Sequence, residues 1–161
     1  MAGLGLVVLR LTLAVVFVAH GAHILFGVWP GPGAGPGGVD ATARQYAALG
    51  LHPENFLAVL AGVLQLAGGL LIGLGLLTRA ASLTLLAYVG LGVWVEHWQW
   101  GFFLNWTRNP QHGQGIEYAV TLAGALLCLI LIGGGEWSID GHRSQSQERR
   151  AAGRARLRGK L

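Results

Sequence analysis

Apolar and polar positions alternate in blocks along this chain, with four long apolar runs at about residues 4–28, 56–77, 80–98 and 116–132, separated by glycine-rich or polar breaks. About 20 consecutive apolar residues are enough for a helix to cross the hydrocarbon core of a bilayer. The pattern therefore predicts an all-α fold, an integral membrane four-helix bundle. Residues 29–39, WPGPGAGPGGV, hold no periodicity and read as a loop. Asp40 is a plausible N-cap for a short amphipathic helix from Ala41 to Leu49, stopped by Gly50, lying on the membrane surface. Thr78-Arg79 makes a turn so short that the flanking helices must form an antiparallel hairpin, whereas WQWGFFLNWTRNPQHGQG, from Trp98 to Gly115, is a longer aromatic connection.

Polar residues inside apolar runs are costly in lipid and need partners. In the first run His20 and His23 share a helical face with Leu13, Val16 and Gly27, which should turn toward protein, while Arg10 is long enough to snorkel to the nearer headgroups as an anchor. In the second run Ala58, Ala61, Gly62, Gln65, Gly69, Ile72 and Gly73 fall on one side. The small residues, including the Gly69/Gly73 pair, read as an intramembrane packing face, and the Gln65 amide needs a partner. In the fourth run Glu117, Thr121, Gly124 and Cys128 share a face.

Composition agrees with the pattern. Of 161 residues, 53% are hydrophobic and 11% charged, against roughly 25% charged in soluble domains; mean hydropathy is +0.53. Nine of the eleven Lys and Arg residues, Arg10, Arg79 and the seven tail residues Arg143 to Lys160, fall on one side of a four-span model, leaving Arg44 and Arg108 on the other. The positive-inside rule then puts both termini in the cytoplasm and the short helix outside. Trp29, Trp94, Trp98, Trp100 and Trp106 form an outer aromatic belt and Trp137 marks the inner interface. This divides the chain into a membrane domain, 1–140, and a basic cytoplasmic tail, 141–161. The tail suits an anionic membrane surface; no nucleic-acid-reading module accompanies it, so no nucleic-acid partner is expected. Cys128 stands alone, which rules out an intrachain disulfide and a CxxC centre. Ala19-His20-Gly21 loosely resembles a signal-peptidase site, but the apolar run continues past it and reads as a retained helix.

At about 1.5 Å of rise per residue, His20, His23, His97 and Glu117 come to one depth toward the outer side, with Glu96 and Tyr118 adjacent and Gln65 deeper. Such a cluster suits a quinone headgroup, which needs two hydrogen bonds at its carbonyls, a proton-accepting group and an apolar entry. The candidate quinone-binding set is His20, His23, Gln65, His97, Glu117 and Tyr118, with Arg10, Gly69, Gly73 and Arg79 as packing and anchoring residues. Haem between His20 and His97, or a metal on His20, His23, His97 and Glu117, is disfavoured, and no intrinsic cofactor is expected. A hydrogen-bonded polar plug is the structural alternative. No nucleophile–base set, nucleotide loop or flavin motif appears, so no catalytic residue is assigned and a standalone enzyme ranks third.

The ordered series LRLTLAVVFVAHGAHILFG, GVLQLAGGLLIGLGLLTRAASL, GFF at 101–103, Glu117-Tyr118 and WSID at 137–140 resembles the DoxX family over about residues 4–140. The resemblance implies a four-helix bundle in the bacterial cell (inner) membrane, associated with oxidoreductase systems such as thiosulfate:quinone oxidoreductase, or with thiol and superoxide-detoxifying partners. Arg10, His20, Gly21, Gly68, Gly69, Thr78, Arg79, Glu117 and Tyr118 fall where the family pattern has them. The chain departs at Ile24, where Lys is usual, at Gln65, where Glu is usual, and at Glu136, where a basic residue is usual. Loss of an intramembrane Lys and Glu together looks like removal of an ion pair and weakens the case for autonomous catalysis. The expectation is an accessory membrane subunit of a quinone-linked complex, with lipid and other subunits as partners. The rival is a structural or assembly protein that uses its glycine faces, loops and tail.

Overall fold

In lipid a chain must satisfy its backbone polar groups internally, and long apolar stretches without internal proline do so by coiling. The computed structural model describes residues 2–31 and 35–147, and its regular elements are helical. They are α1 (Ala2–Phe26), α2 (Val39–Ala48), α3 (Glu54–Leu74), α4 (Thr78–Gly92) and α5 (Glu117–Ile132). Three stretches, Gly3–Phe26, Glu54–Leu74 and Thr78–Trp100, are long and apolar enough to cross a membrane, and α5 is a shorter apolar helix. Residues 139–147 are helical again, while the tail from Glu148, with most of the expected basic cluster, and residues 32–34 of the glycine-rich loop lie outside the described residues.

α1 lies mainly along α3, α4 along α5, α3 and α4 form the hairpin, and α2 folds over the end of α3. Leu13 and Phe17 of α1, Ile72 of α3, Leu85 of α4 and Leu126 and Leu129 of α5 make the core. The α1–α3 crossing is closest at Gly21, where a Cβ would overlap the Leu66 amide nitrogen and stand 2.8 Å from the Gly62 carbonyl oxygen. One turn further along, Gly69 sits against Phe17 and Val18, and Gly73 against the Ala14 methyl. The glycine face of α3 is thus spent on α1, because small residues let two backbones approach in lipid.

One end of the bundle is tied by polar bonds. Arg10 is 4% exposed. Its Nε donates to Ile72 O at 3.0 Å, Nη2 to Gly73 O at 2.7 Å, and Nη1 to Gly134 O and Trp137 O, both at 3.0 Å. The snorkelling expected from the sequence does not occur, because the last carbonyls of α3 and those of the segment after α5 offer the guanidinium four acceptors inside the protein. Asp140 accepts from Leu77 N at 3.0 Å and from Thr78 N and Oγ1 at 2.9 and 3.0 Å, capping α4 from a distant part of the chain. Arg79 donates to Leu131 O at the end of α5 at 3.1 Å.

Five local expectations change. The hairpin turn lies at Gly75–Leu77, both with positive φ, and Thr78 already opens α4. α2 starts at Val39 after Gly38, with Asp40 in its first turn rather than at the cap. α2 packs against α3 instead of lying free on a surface, since Ala43 is buried there. The third run is not a single α-helix: it widens into a π turn at Val93–His97 and tightens into a 3-10 turn at Trp98–Trp100. Trp29, Trp94, Trp98, Trp106 and Trp137 are exposed, but Trp100 folds into the following loop against His112 at a ring separation of 5.1 Å.

Candidate functional site

A cleft of about 940 Å³ opens at the α2 end of the bundle. α1 supplies His20, α2 Tyr46, α3 Gln65, α4 Tyr88, the π turn Glu96 and His97, and α5 Tyr118. The rest of the wall is mostly apolar, with leucine the commonest residue, and the exposed Leu60, Leu83, Ala87 and Leu91 form a rim at the α3–α4 seam. The π turn matters for this composition: inserting an extra residue into a helical turn shifts the following side chains around the axis, and Glu96 and His97 both come to line the cleft.

The polar groups are wired together. Gln65, buried at 4% exposure, donates its amide to the Tyr88 hydroxyl at 3.0 Å, and Tyr46 lines the same cleft. Gln45 of α2 donates to Glu96 Oε1 at 3.1 Å. The first bond joins α3 to α4, and the second fastens α2 to the π turn. His20 Nδ1 lies 2.9 Å from Val16 O, and His97 Nδ1 lies 3.0 Å from Gln114 O.

Of the six candidate residues, four line this cleft, His20, Gln65, His97 and Tyr118, and two do not. The His23 ring lies 2.7 Å through Nδ1 from Val28 O and packs under Gly37, while the His23 carbonyl accepts from Gly27 N and Gly38 N, so it shapes the glycine-rich loop. Glu117 accepts from Leu104 N at 3.2 Å and its amide donates to Phe102 O at 2.8 Å; the carboxylate fastens the aromatic loop to α5, and its partner is a backbone amide rather than an imidazole. The face Thr121–Gly124–Cys128 points outward, and α5 turns Tyr118, Ala119 and Leu122 to the cleft instead. Core packing of Leu126 and Leu129 set that rotation, and Thr121 could face out because its hydroxyl returns to Glu117 O at 3.1 Å.

Sequence reading passed over Tyr46 and Tyr88. A signal for Tyr88 existed: in an antiparallel hairpin, residues equidistant from the turn meet, and Gln65 and Tyr88 stand twelve before and eleven after Leu77. Tyr46 had none, since only the docking of α2 brings it there. Among the described residues no three His, Cys, Asp or Glu side chains gather as a metal site.

No curated protein and no solved structure matches the chain. The family model DoxX matches residues 5–98, from the start of α1 through the π turn, which takes in every cleft residue named above except Tyr118, Ala119 and Leu122 of α5. This membrane protein belongs to the DoxX family.

Proposed function

We propose that the protein is an accessory membrane subunit of a quinone-linked redox complex, not a catalyst by itself, crossing the bacterial cell (inner) membrane four times with both termini in the cytoplasm. The observation that carries this reading is the cleft: a volume of about 940 Å³ with polar groups from α1 to α5 and a leucine rim on the lipid-facing side. That mixture suits a lipophilic ring with polar substituents entering from the bilayer. The residues that would hold it are His20, Gln65, Tyr88, Glu96, His97 and Tyr118. When bound, a quinone supplies two-electron chemistry to a partner subunit; the chain's own part is to orient the ring, exclude water and offer hydrogen bonds.

The fourth crossing is supported by α5, which is apolar beyond its first turns and runs beside α4. Its length of about 24 Å falls short of a ~30 Å hydrocarbon core, and the exposed Leu131, Ile132 and Trp137 extend the apolar surface beyond it. The nine-to-two split of basic residues supports the orientation, with α2 and the cleft outside, and the tail lies at the anionic inner surface. The assembly-protein reading stands second, because the α3 glycine face it relies on is already occupied by α1.

The test is purification from native membranes in mild detergent, with mass spectrometry of co-eluting proteins and of extracted lipids. A stoichiometric redox partner together with quinone is the expected result. A partner without quinone favours the assembly reading, and quinone absent with no partner defeats both.

A further inference from the structure

The two imidazoles lining the cleft are each committed through one nitrogen. His20 Nδ1 is 2.9 Å from Val16 O and His97 Nδ1 is 3.0 Å from Gln114 O. A carbonyl oxygen has no hydrogen to give, so Nδ1 is the donor in both bonds. A neutral imidazole carries a single N–H, and Nε2 of each ring is therefore left as a lone-pair acceptor that cannot donate.

The other polar groups do not reverse this bias. Gln65 and Gln45 each commit one amide hydrogen, to Tyr88 and to Glu96, and keep one, Gln114 adds a further amide to the wall, and the Thr84 hydroxyl turns to Ala80 O. Glu96 as a carboxylate accepts only. Tyr46, Tyr88 and Tyr118 add phenolic hydroxyls to the wall. Phenolic oxygens serve as donors or acceptors as required, whereas the two imidazoles in this tautomer serve only as acceptors. A ligand presenting carbonyl oxygens meets lone pairs at His20 and His97, while one presenting hydroxyls is satisfied at every polar group.

We infer that the cleft selects the reduced, dihydroxy form of its ligand, a quinol, over the corresponding quinone, with Nε2 of His20 and His97 as the two acceptors. This inference rests on the reading of the cleft as a quinone-type site and adds its redox selectivity. Preferential binding of the form that carries two more electrons and two more protons raises the midpoint potential of the bound couple, by about 30 mV for each tenfold preference.

The experiment titrates the full-length protein in mild detergent, anaerobically at pH 8, with a decyl-benzoquinol and separately with its quinone, followed by calorimetry. The quinol is expected to bind at least tenfold tighter. His20→Phe and His97→Phe, each checked for folding by circular dichroism, should lose most of that preference by weakening quinol binding more than quinone binding, and His97→Gln, which restores an acceptor, should recover part of it. Equal affinities, or tighter quinone binding, overturn the inference and leave the quinone-site reading standing. Binding of neither form overturns the site reading and the selectivity with it. A preference untouched in both phenylalanine variants overturns the assignment of the acceptors.

Discussion

Arg10 and Asp140 show how two charged residues hold one end of an apolar bundle. Arg10 satisfies carbonyls from two parts of the chain with a single planar group, which an ammonium cannot copy. Hydrogen bonds from charged donors contribute about 1.5–3 kcal/mol each and are not additive, so Arg10→Gln should cost about 3 kcal/mol or more. Arg10→Lys should recover less than half of that, measured by thermal unfolding in detergent; a lysine variant that melts like the parent would return Arg10 to the role of a snorkelling charge. Asp140 is pulled two ways: partial burial disfavours its charge, but the bonds from Thr78 and Leu77, with Arg143 nearby, outweigh it and hold the carboxyl below its ordinary range. A carboxyl depressed in the folded state stabilises above the unfolded value of ~3.9, and that contribution fades as pH falls through the lower folded value. The melting temperature should therefore drop between pH 7 and pH 3, and the drop should shrink in Asp140→Asn, which loses part of the α4 cap at every pH.

At the scale of helices, the α1–α3 contact and the outer face of α4 make opposite predictions for the same substitution. At Gly21 a methyl group would meet the α3 backbone at Leu66 N and Gly62 O, and no side chain can move aside. Gly21→Ala should separate the helices and cost about 1–3 kcal/mol. Gly90 on α4 has nothing within 4 Å of its ideal Cβ position, and Gly90→Ala should be neutral or stabilising by up to about 1 kcal/mol through helix propensity. Parallel melting curves check both; a harmless Gly21→Ala would deny the close crossing. Glu117 belongs to this scale too, because its carboxylate joins a loop to a helix. Glu117→Ala should leave ligand affinity within about twofold and speed proteolysis within residues 101–116, and a tenfold loss of binding would put Glu117 back in the site.

For the molecule as a whole, the proposed orientation is testable without any ligand. A reporter active only in the cytoplasm should work when fused after Lys160 or inserted at Arg79, and be silent at Gly35 or Gln111. The ground is the nine-to-two distribution of Lys and Arg. Activity at Gly35 would invert the bundle, and with it the placement of α2 and the cleft at the outer leaflet.

Much of the architecture was written in local pattern. Run length and hydropathy call for membrane helices, the glycines of α3 mark a packing face, and the intramembrane Gln65 announces a partner, because each of these depends on neighbours within one helix. The site was legible only in part. His20, Gln65, His97 and Tyr118 line the cleft, but matched depth could not separate them from His23 and Glu117, since depth along a helix says nothing of which way a side chain faces across the bundle. In lipid a polar face carries no fixed direction when its groups can return bonds to their own backbone, as Thr121 does, so the rotation of α5 was decided by Leu126 and Leu129 in the core. Tertiary structure alone decided the burial of Arg10, the capping of α4 by Asp140, the π turn that puts Glu96 and His97 in the wall, and the docking of α2 that brings Tyr46 to the cleft. Each joins residues distant in the chain or depends on how the helices pack, and neither leaves a period in the sequence.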